Sequence, residues 1–394
     1  MRIALAHNYY QNPGGEDTLF HNARDLFLAN GHQVFEFKKH NDEIKEYSLL
    51  EKAGLTGKAV YNNSIIPEMT GFIKSCRPDV VQFFNIFPLI SPAAYYACRA
   101  MNVPVVQSLD NARLICPNAS FYRNGKDCTD CLGKTFAWPG VLHGCYKSSR
   151  LKTAVVAAMS SFNRRHKTWH NYVDKYIVAT DYYRKIFIQA GFPAEKIIVK
   201  PHFVLPENGV LRSGPGKYAL FVGRLSKEKG IITLLKAWKK VSGMPLRIRG
   251  EGPLLHEVRE FIRKENLDCV DIVGRLSREE LTKLISQAKF LILPSEGIYE
   301  TFGLVTIEAF ACGVPVISSV AGVAPEIVTN GKTGLLFKTG DPEDLAAKVR
   351  WALAHEQEME EMGRRARREY EAKYTPERNH LHFMEIYQDV INKA

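Results

Sequence analysis

Short β-branched runs alternate with amphipathic stretches along this chain, and they do so in two series. RIALAH, HQVFEF, DVVQFFN, VPVVQSL and KYIVAT make the first, and KYALFVG, LRIRG, VDIVG, FLILPS and PVISS make the second. Runs that are apolar on both faces belong to parallel strands covered by helices above and below. The expected fold class is therefore α/β, with two doubly wound Rossmann-like domains. A length of 394 residues fits two cores better than one. The expected boundaries are 1–203 for the first domain and 217–375 for the second. Residues 204–216, within the Pro-, Gly- and Ser-rich KPHFVLPENGVLRSGPGK, are expected as linker and hinge. The last stretch, 376–394, has helical spacing. No run of about 18 apolar residues occurs, and MRIALAHNYY has too short an apolar run for a leader and reads as a first strand. The expected location is the cytoplasm.

The segment ETFGLVTIEAFACGVPVI, 300–317, lies between two of these strands. Glu300 thus falls beyond a strand's carboxyl end, where open α/β sheets take ligands. From Thr301 to Leu304 the chain enters a helix, and unpaired amides with the helix dipole favour phosphate oxygens there. Glu308, about one and a half turns further on, is placed to reach a ribose diol, while Glu300 stays nearer a sugar. Taken alone, the segment is better explained as a surface loop with two solvated acids. YALFVGRLSKEKGIITLLKAW supplies the complement: a strand, then Gly223 and Arg224, then Lys229 beside Gly230 at the next helix start. A guanidinium fork and an ammonium point charge suit a diphosphate, both to bind it and to stabilise it as a leaving group. The chain has no Asp-x-Asp triplet, so an obvious carboxylate pair for a diphosphate-bound cation is missing and a metal-independent reaction is expected. Lys227 reads as solvated.

Pro-Gly-Gly near the N-terminus, GRLSKEKG, RGEGPLL and the glutamate pair followed by PVI together resemble the retaining family 4 glycosyltransferases of the GT-B fold. The resemblance runs over most of the chain. It implies two Rossmann-like domains facing each other across a cleft, with the C-terminal helix crossing back to the first. It also implies Arg224 and Lys229 on the donor diphosphate, Glu300 near the donor sugar and Glu308 on the ribose. Phe302, Gly303 and Leu304 would offer amides, Gly14 and Gly15 would let a loop approach sugar and phosphate, and Gly274 and Arg275 would meet the nucleobase. The Gly14-Gly15 pair is not a G-x-G-x-x-G fingerprint, which argues against a nicotinamide cofactor.

One departure stands out against that pattern. Leu109-Asp110-Asn111-Ala112-Arg113 has Asp110 where the family commonly has histidine. An ionised carboxylate is acceptor-only, so Asp110 is expected either to accept from sugar hydroxyls and steady an oxocarbenium charge, or to slow the enzyme. A loop-capping Asp is an equal alternative. His143 and His202 are further candidates, each without a sequence partner.

Of eight cysteines, Cys116, Cys128, Cys131 and Cys145 cluster around one Cys-x-x-Cys, and a structural zinc site is one expectation, with thiols or a local disulfide the others. Cys76, Cys98, Cys269 and Cys312 read as core. The net charge of +11 is uneven: residues 147–173 contain no Asp or Glu but six Lys and Arg beside LKTAVVAAMSSF. Such a stretch suits an anionic membrane surface or a solvated helix, and no nucleic-acid module accompanies it. The expected activity is transfer of a hexosyl group from a UDP- or GDP-sugar to a hydroxyl of a glycan or polyprenyl-linked glycan, in cell-surface polysaccharide or glycolipid synthesis. No cofactor is expected. A sugar-nucleotide epimerase or hydrolase, or a silent nucleotide-sugar-binding protein, are the alternatives.

Overall fold

The computed structural model describes residues 1–11, 14–204, 211–212, 214–298 and 300–393, without the side chains of 49–53 and 55. Most of the expected linker, 205–210 and 213, lies outside these residues. The chain divides into two compact units: Met1–Phe121, Cys128–Pro201 and Asn379–Ala394 form unit 1, and Tyr122–Asp127 with His202–Arg378 form unit 2.

Unit 1 is built on β1 (Arg2–Tyr9), β2 (Gln33–His40), β3 (Val80–Phe83), β4 (Val105–Ser108), β7 (Lys175–Val178) and β8 (Ile197–Val199), in the order β2-β1-β3-β4-β7-β8. A two-stranded hairpin, β5 (Tyr122–Arg123) with β6 (Lys126–Asp127), lies between β4 and β7 in the chain and belongs to unit 2. All the pairings within the large sheet are parallel, Ile3 standing opposite both Val34 and Val80. Burial explains the pattern. Ile3 to Asn8 are buried without a break, so β1 needs cover on both faces, which helices such as Gly15–Ala29 supply. The helix Pro376–Ile391 places Phe383 and Tyr387 5.0 and 5.7 Å from the Phe27 ring, inside unit 1.

Unit 2 holds β9 (Tyr218–Val222), β10 (Leu246–Arg249), β11 (Val270–Val273), β12 (Ala288–Leu293), β13 (Val316–Ser319) and β14 (Gly334–Phe337), ordered β11-β10-β9-β12-β13-β14 and again parallel. The order runs outward one way from β9 and the other way from β12. Between these two strands the connections leave in opposite directions and open a crevice at the carboxyl ends, the position where doubly wound sheets receive ligands.

All ten runs expected as strands are strands. The structure adds β8, β14 and the hairpin. Ile197–Val199 is only three residues long, and GLLF lacks β-branching, so neither run carries a strong strand signal. A Cβ at Gly334 would lie 2.0 Å from the Val316 carbonyl oxygen, so β14 begins with glycine because its neighbour is so close. Among the described residues no helix is long and apolar enough to cross a membrane.

Gly230 joins the loop after β9 to the helix Ile231–Trp238, with φ +66°. A Cβ there would stand 1.9 Å from the Pro294 oxygen, just past β12. Gly230→Ala is therefore expected to destabilise unit 2 by about 2 to 4 kcal/mol in urea unfolding. An unchanged midpoint would show that the two loops do not approach as described.

Candidate functional site

The loops after β9 and β12 meet at the switch point of unit 2. Lys229 Nζ forms an ion pair and hydrogen bond with the Glu300 carboxylate, both side chains being about one fifth exposed (18% and 20%). The loops are fitted to one another by backbone. Glu296 N donates to Glu228 O at 2.9 Å, and Thr233 donates to the Glu296 carboxylate. Cβ atoms at Gly250 and Gly252 would fall 2.0 and 2.4 Å from the oxygens of Gly223 and Leu225, so RGEGPLL carries its glycines for the same reason as Gly230. Gly223 N donates to Arg249 O at 3.1 Å. Arg224 is exposed, and among the described residues its guanidinium has no hydrogen-bonded partner, whereas Lys229 is held by Glu300. The structure therefore brings Lys229 and Glu300 together and does not bring Arg224 onto them. Lys227 is exposed, as expected.

Gly303, at φ +79°, turns the chain into the helix Leu304–Ala311. Phe302 is buried edge-on against His202 (5.1 Å) and Tyr374 (5.8 Å), which fixes the helix start from behind. Glu308 lies on that helix with part of its surface open, yet it is densely surrounded. Burial pushes its carboxyl up to about 7, against the opposing fields of Arg278 and Arg249. These two arginines, and Glu251, were missed in the sequence. Arg275 forks onto Glu251 with both bonds at 2.9 Å, joining the loops after β10 and β11. Gly274 is exposed, and a Cβ at that position would have no protein atom within 4 Å. A cavity of 590 Å³ in unit 2, lined by Asn330, Leu335, Lys348, Trp351, Met362 and others, contains none of these residues.

In unit 1 the loop after β1 leads to the helix start at Gly14 and Gly15. Gly14 N donates to Asp17 Oδ2 at 2.8 Å, and Asp17 Oδ1 meets the buried His7 Nε2 at 2.7 Å. No described protein atom lies within 4 Å of a Cβ at Gly15, so internal packing does not require that glycine. Glu16 accepts from the Tyr10 hydroxyl and, at 2.8 Å, from Asn111 Nδ2. Asn111 and Arg113 of the LDNAR run are thus tied down, the Arg113 guanidinium lying 5.1 Å from both the Phe87 and Tyr146 rings. Asp110 is buried beside this network. Desolvation raises its carboxyl to about 8, with Glu16 adding and Lys200 opposing. Lys200 is buried as well and pushed down to about 7 by desolvation; its Nζ donates to Asn379 Oδ1 at 2.6 Å and sits 3.9 Å over Phe383. Glu16 and Lys200 were also missed. Glu16 stands next to the glycine pair and was findable, whereas the partner of Lys200 lies 179 residues away.

The cysteine expectations need two corrections. Cys116, Cys128 and Cys145 lie near Cys131, whose thiol is raised to about 11, first by burial and then by those neighbours. Among the described residues, however, no group of three or more His, Cys, Asp or Glu could hold a metal ion, so the expected structural zinc site is not supported. Cys131 instead packs with Ala137 and Ala157, its sulfur 3.9 Å from Ala137 O. Cys269, expected in the core, is exposed, because it sits in the turn just before β11. Cys76, Cys98 and Cys312 are buried. His143 is exposed and His202 buried.

Residues 208–369 match the family model described as glycosyl transferases group 1. An uncharacterized glycosyltransferase, MJ1178, of Methanocaldococcus jannaschii is 30% identical over 177 residues, 45% of this chain and 49% of that protein. Sulfoquinovosyl transferase SQD2 of Arabidopsis thaliana is 34% identical over 158 residues, 39% of this chain and 30% of that protein. The chain spans about half or less of the length of these curated relatives. Among solved structures, Anabaena Alr3699/HepE in complex with UDP and glucose is similar with TM-score 0.67 at 17% identity, covering 98% of each chain. Sucrose-phosphate synthase from Thermosynechococcus elongatus gives TM-score 0.69 at 19% identity, covering 100% of this chain and 99% of that one. The fold is GT-B.

The raised carboxyl of Glu308 fixes a pH dependence. A folded-state value above the unfolded one means that the native state holds the proton more tightly, so its stabilisation is complete below pH 4.5 and is lost as pH rises through about 7. Glu308→Gln removes that loss. It is expected to gain at most about 3 kcal/mol over wild type between pH 5 and pH 8.5, read as a melting-temperature difference that grows with pH. A difference independent of pH would refute the buried-carboxyl assignment.

Proposed function

We propose that the protein is a retaining, metal-independent glycosyltransferase that moves a hexosyl group from a UDP- or GDP-sugar to a hydroxyl of a glycan or polyprenyl-linked glycan. The observation that carries this reading is the Lys229–Glu300 pair at the switch point of unit 2, next to the helix start at Leu304. Lys229, with Arg224 swinging in from solvent, takes the donor diphosphate together with the amides of Phe302, Gly303 and Leu304. Glu300 then turns to hydroxyls of the donor sugar, and Glu308 accepts from the ribose. Gly223 carries the chain into Arg224 at the diphosphate, and Gly274 and Arg275 line the nucleobase end. In unit 1, Gly14 and Gly15 let their loop approach the donor sugar, and Asp110 accepts from its hydroxyls. As the glycosidic bond to the diphosphate breaks, negative charge grows on the leaving oxygen, and the two cations stabilise it there. Retention of configuration rests on the family resemblance, and metal independence on the two cations and the missing Asp-x-Asp triplet.

Lys229→Ala and Arg224→Ala are each expected to lower kcat by about 10²- to 10³-fold, with wild-type activity undiminished in EDTA. Release of nucleoside diphosphate should depend on added acceptor, which separates transfer from hydrolysis or epimerisation. Near-normal transfer by both variants would contradict the assignment.

The surface of the first unit supports a membrane-associated acceptor in cell-surface polysaccharide or glycolipid synthesis. No Asp or Glu occurs from Cys131 to Val173. The helix Arg150–Arg165 buries Val156, Ala157 and Met159, but Leu151 in its first turn and Phe136, Trp138 and Leu142 before it are 40 to 73% exposed, among exposed Lys134, Lys147, Arg150 and Lys152. Arg150 Nε donates to Leu142 O at 3.0 Å, so the apolar and basic groups share one patch. Such a patch suits peripheral attachment to the inner face of the cell membrane. Co-sedimentation with phosphatidylglycerol vesicles is expected, weakened by Leu151→Glu and by salt at about 0.5 M. Equal binding to phosphatidylcholine vesicles, or none to either, would remove the membrane from the reading.

A further inference from the structure

We propose that the hairpin Tyr122–Asp127 is a positioning element of the donor site, with Asp127 holding the loop that carries Glu300; this rests on the donor reading above.

The hairpin is a well-specified local structure. Tyr122 pairs with Asp127 and Arg123 with Lys126, and the turn residues Asn124 and Gly125 have φ +53° and +80°. Asn-Gly with both residues left-handed is the two-residue turn whose twist matches that of the strands it joins. The hairpin belongs to unit 2, although the residues before and after it belong to unit 1. Its purpose there is visible in one contact: Asp127 Oδ1 accepts from Ile298 N at 2.9 Å. A carboxylate accepting from a main-chain amide is a strong, directional bond.

The loop is laid directly on the hairpin. A Cβ at Gly297 would come 2.8 Å from Asp127 Oδ1 and 3.0 Å from a Tyr122 ring carbon. A Cβ at Gly322, at φ +54°, would come 3.1 Å from Ile298 Cα, so another turn closes on the same residue. At its other end the loop is fixed by Glu296, whose N–H and carboxylate are bonded to Glu228 O and the Thr233 hydroxyl. Ile298 is therefore gripped, and two residues later Glu300 pairs with Lys229. Of these anchors, Asp127 supplies the side-chain bond nearest along the chain to Glu300. Releasing it frees Gly297, Ile298 and Glu300 to move while Glu296 stays in place. Small displacements of a reacting group are costly, because the orientation that binding has arranged is lost.

The effect belongs to the sugar end of the donor, which separates it from loss of fold. Titration calorimetry with UDP and UDP-glucose, and with GDP and GDP-mannose, compares wild type with Asp127→Ala, Asp127→Asn and Gly297→Ala. For the pair that wild type binds, Asp127→Ala is expected to keep the affinity for the free diphosphate within about twofold. The extra affinity for the sugar-bearing form should be lost, and kcat should fall about tenfold. Asp127→Asn should restore both, since its amide oxygen still accepts, and Gly297→Ala should reproduce the defect by steric means. Asp127 is exposed on a surface hairpin, so the melting temperature should change little. Unchanged sugar discrimination and kcat in Asp127→Ala overturn the positioning role while leaving the donor site intact. A defect that Asn does not rescue overturns the hydrogen bond as its cause. Absence of binding by wild type to all four nucleotides overturns both this inference and the donor reading.

Discussion

The ion pair of Lys229 with Glu300 stands where the strand order of unit 2 reverses, and most of the surrounding structure is arranged to keep it there. Lys229 comes from the loop after β9 and Glu300 from the loop after β12, so the pair joins the two walls of the switch-point crevice. Close backbone approach makes this possible. Gly230, Gly250 and Gly252 each leave no room for a side chain, and each sits in a turn at the carboxyl end of the sheet. A half-buried cation facing a carboxylate is held ready. Under the proposed function, a diphosphate in this crevice would offer Lys229 more negative charge than Glu300 does, leaving the carboxylate for hydroxyl groups.

Unit 1 uses burial rather than pairing. Asp110 and Lys200 both lose solvation, which moves the carboxyl up and the ammonium down until their proton affinities approach each other. A carboxyl in that state can donate a hydrogen bond as well as accept one, which an ionised Asp cannot do. Asp110, where the sequence resemblance implies a histidine, therefore keeps a capacity both to donate and to accept. Lys200 is in turn tied to Asn379 and the Phe383 ring, so the helix Pro376–Ile391 supports this environment from within the unit.

The sheets were legible because continuous apolar runs report burial on both faces, and ten strands follow from that signal. Strands β8 and β14 were not, since one is very short and the other owes its place to contact with β13. The hairpin's Asn-Gly turn is a readable two-residue signal, but the strands it joins are only two residues long. That Lys229 and Glu300 lie on neighbouring loops at strand ends could be read from order and spacing along the chain. Glu16, Glu251 and Asp127 could not be assigned roles, because their partners Asn111, Arg275 and Ile298 are brought to them only by the fold. The cysteines show the converse: closeness in sequence became closeness in space without a metal-holding geometry.

The most direct test is a crystal structure with a bound nucleotide sugar. The diphosphate is expected within hydrogen-bonding reach of Lys229 Nζ and the amides at Gly303 and Leu304, with Glu300 turned from Lys229 to the sugar. A nucleotide seated elsewhere, with the Lys229–Glu300 pair undisturbed, would contradict the assignment of this crevice as the donor site.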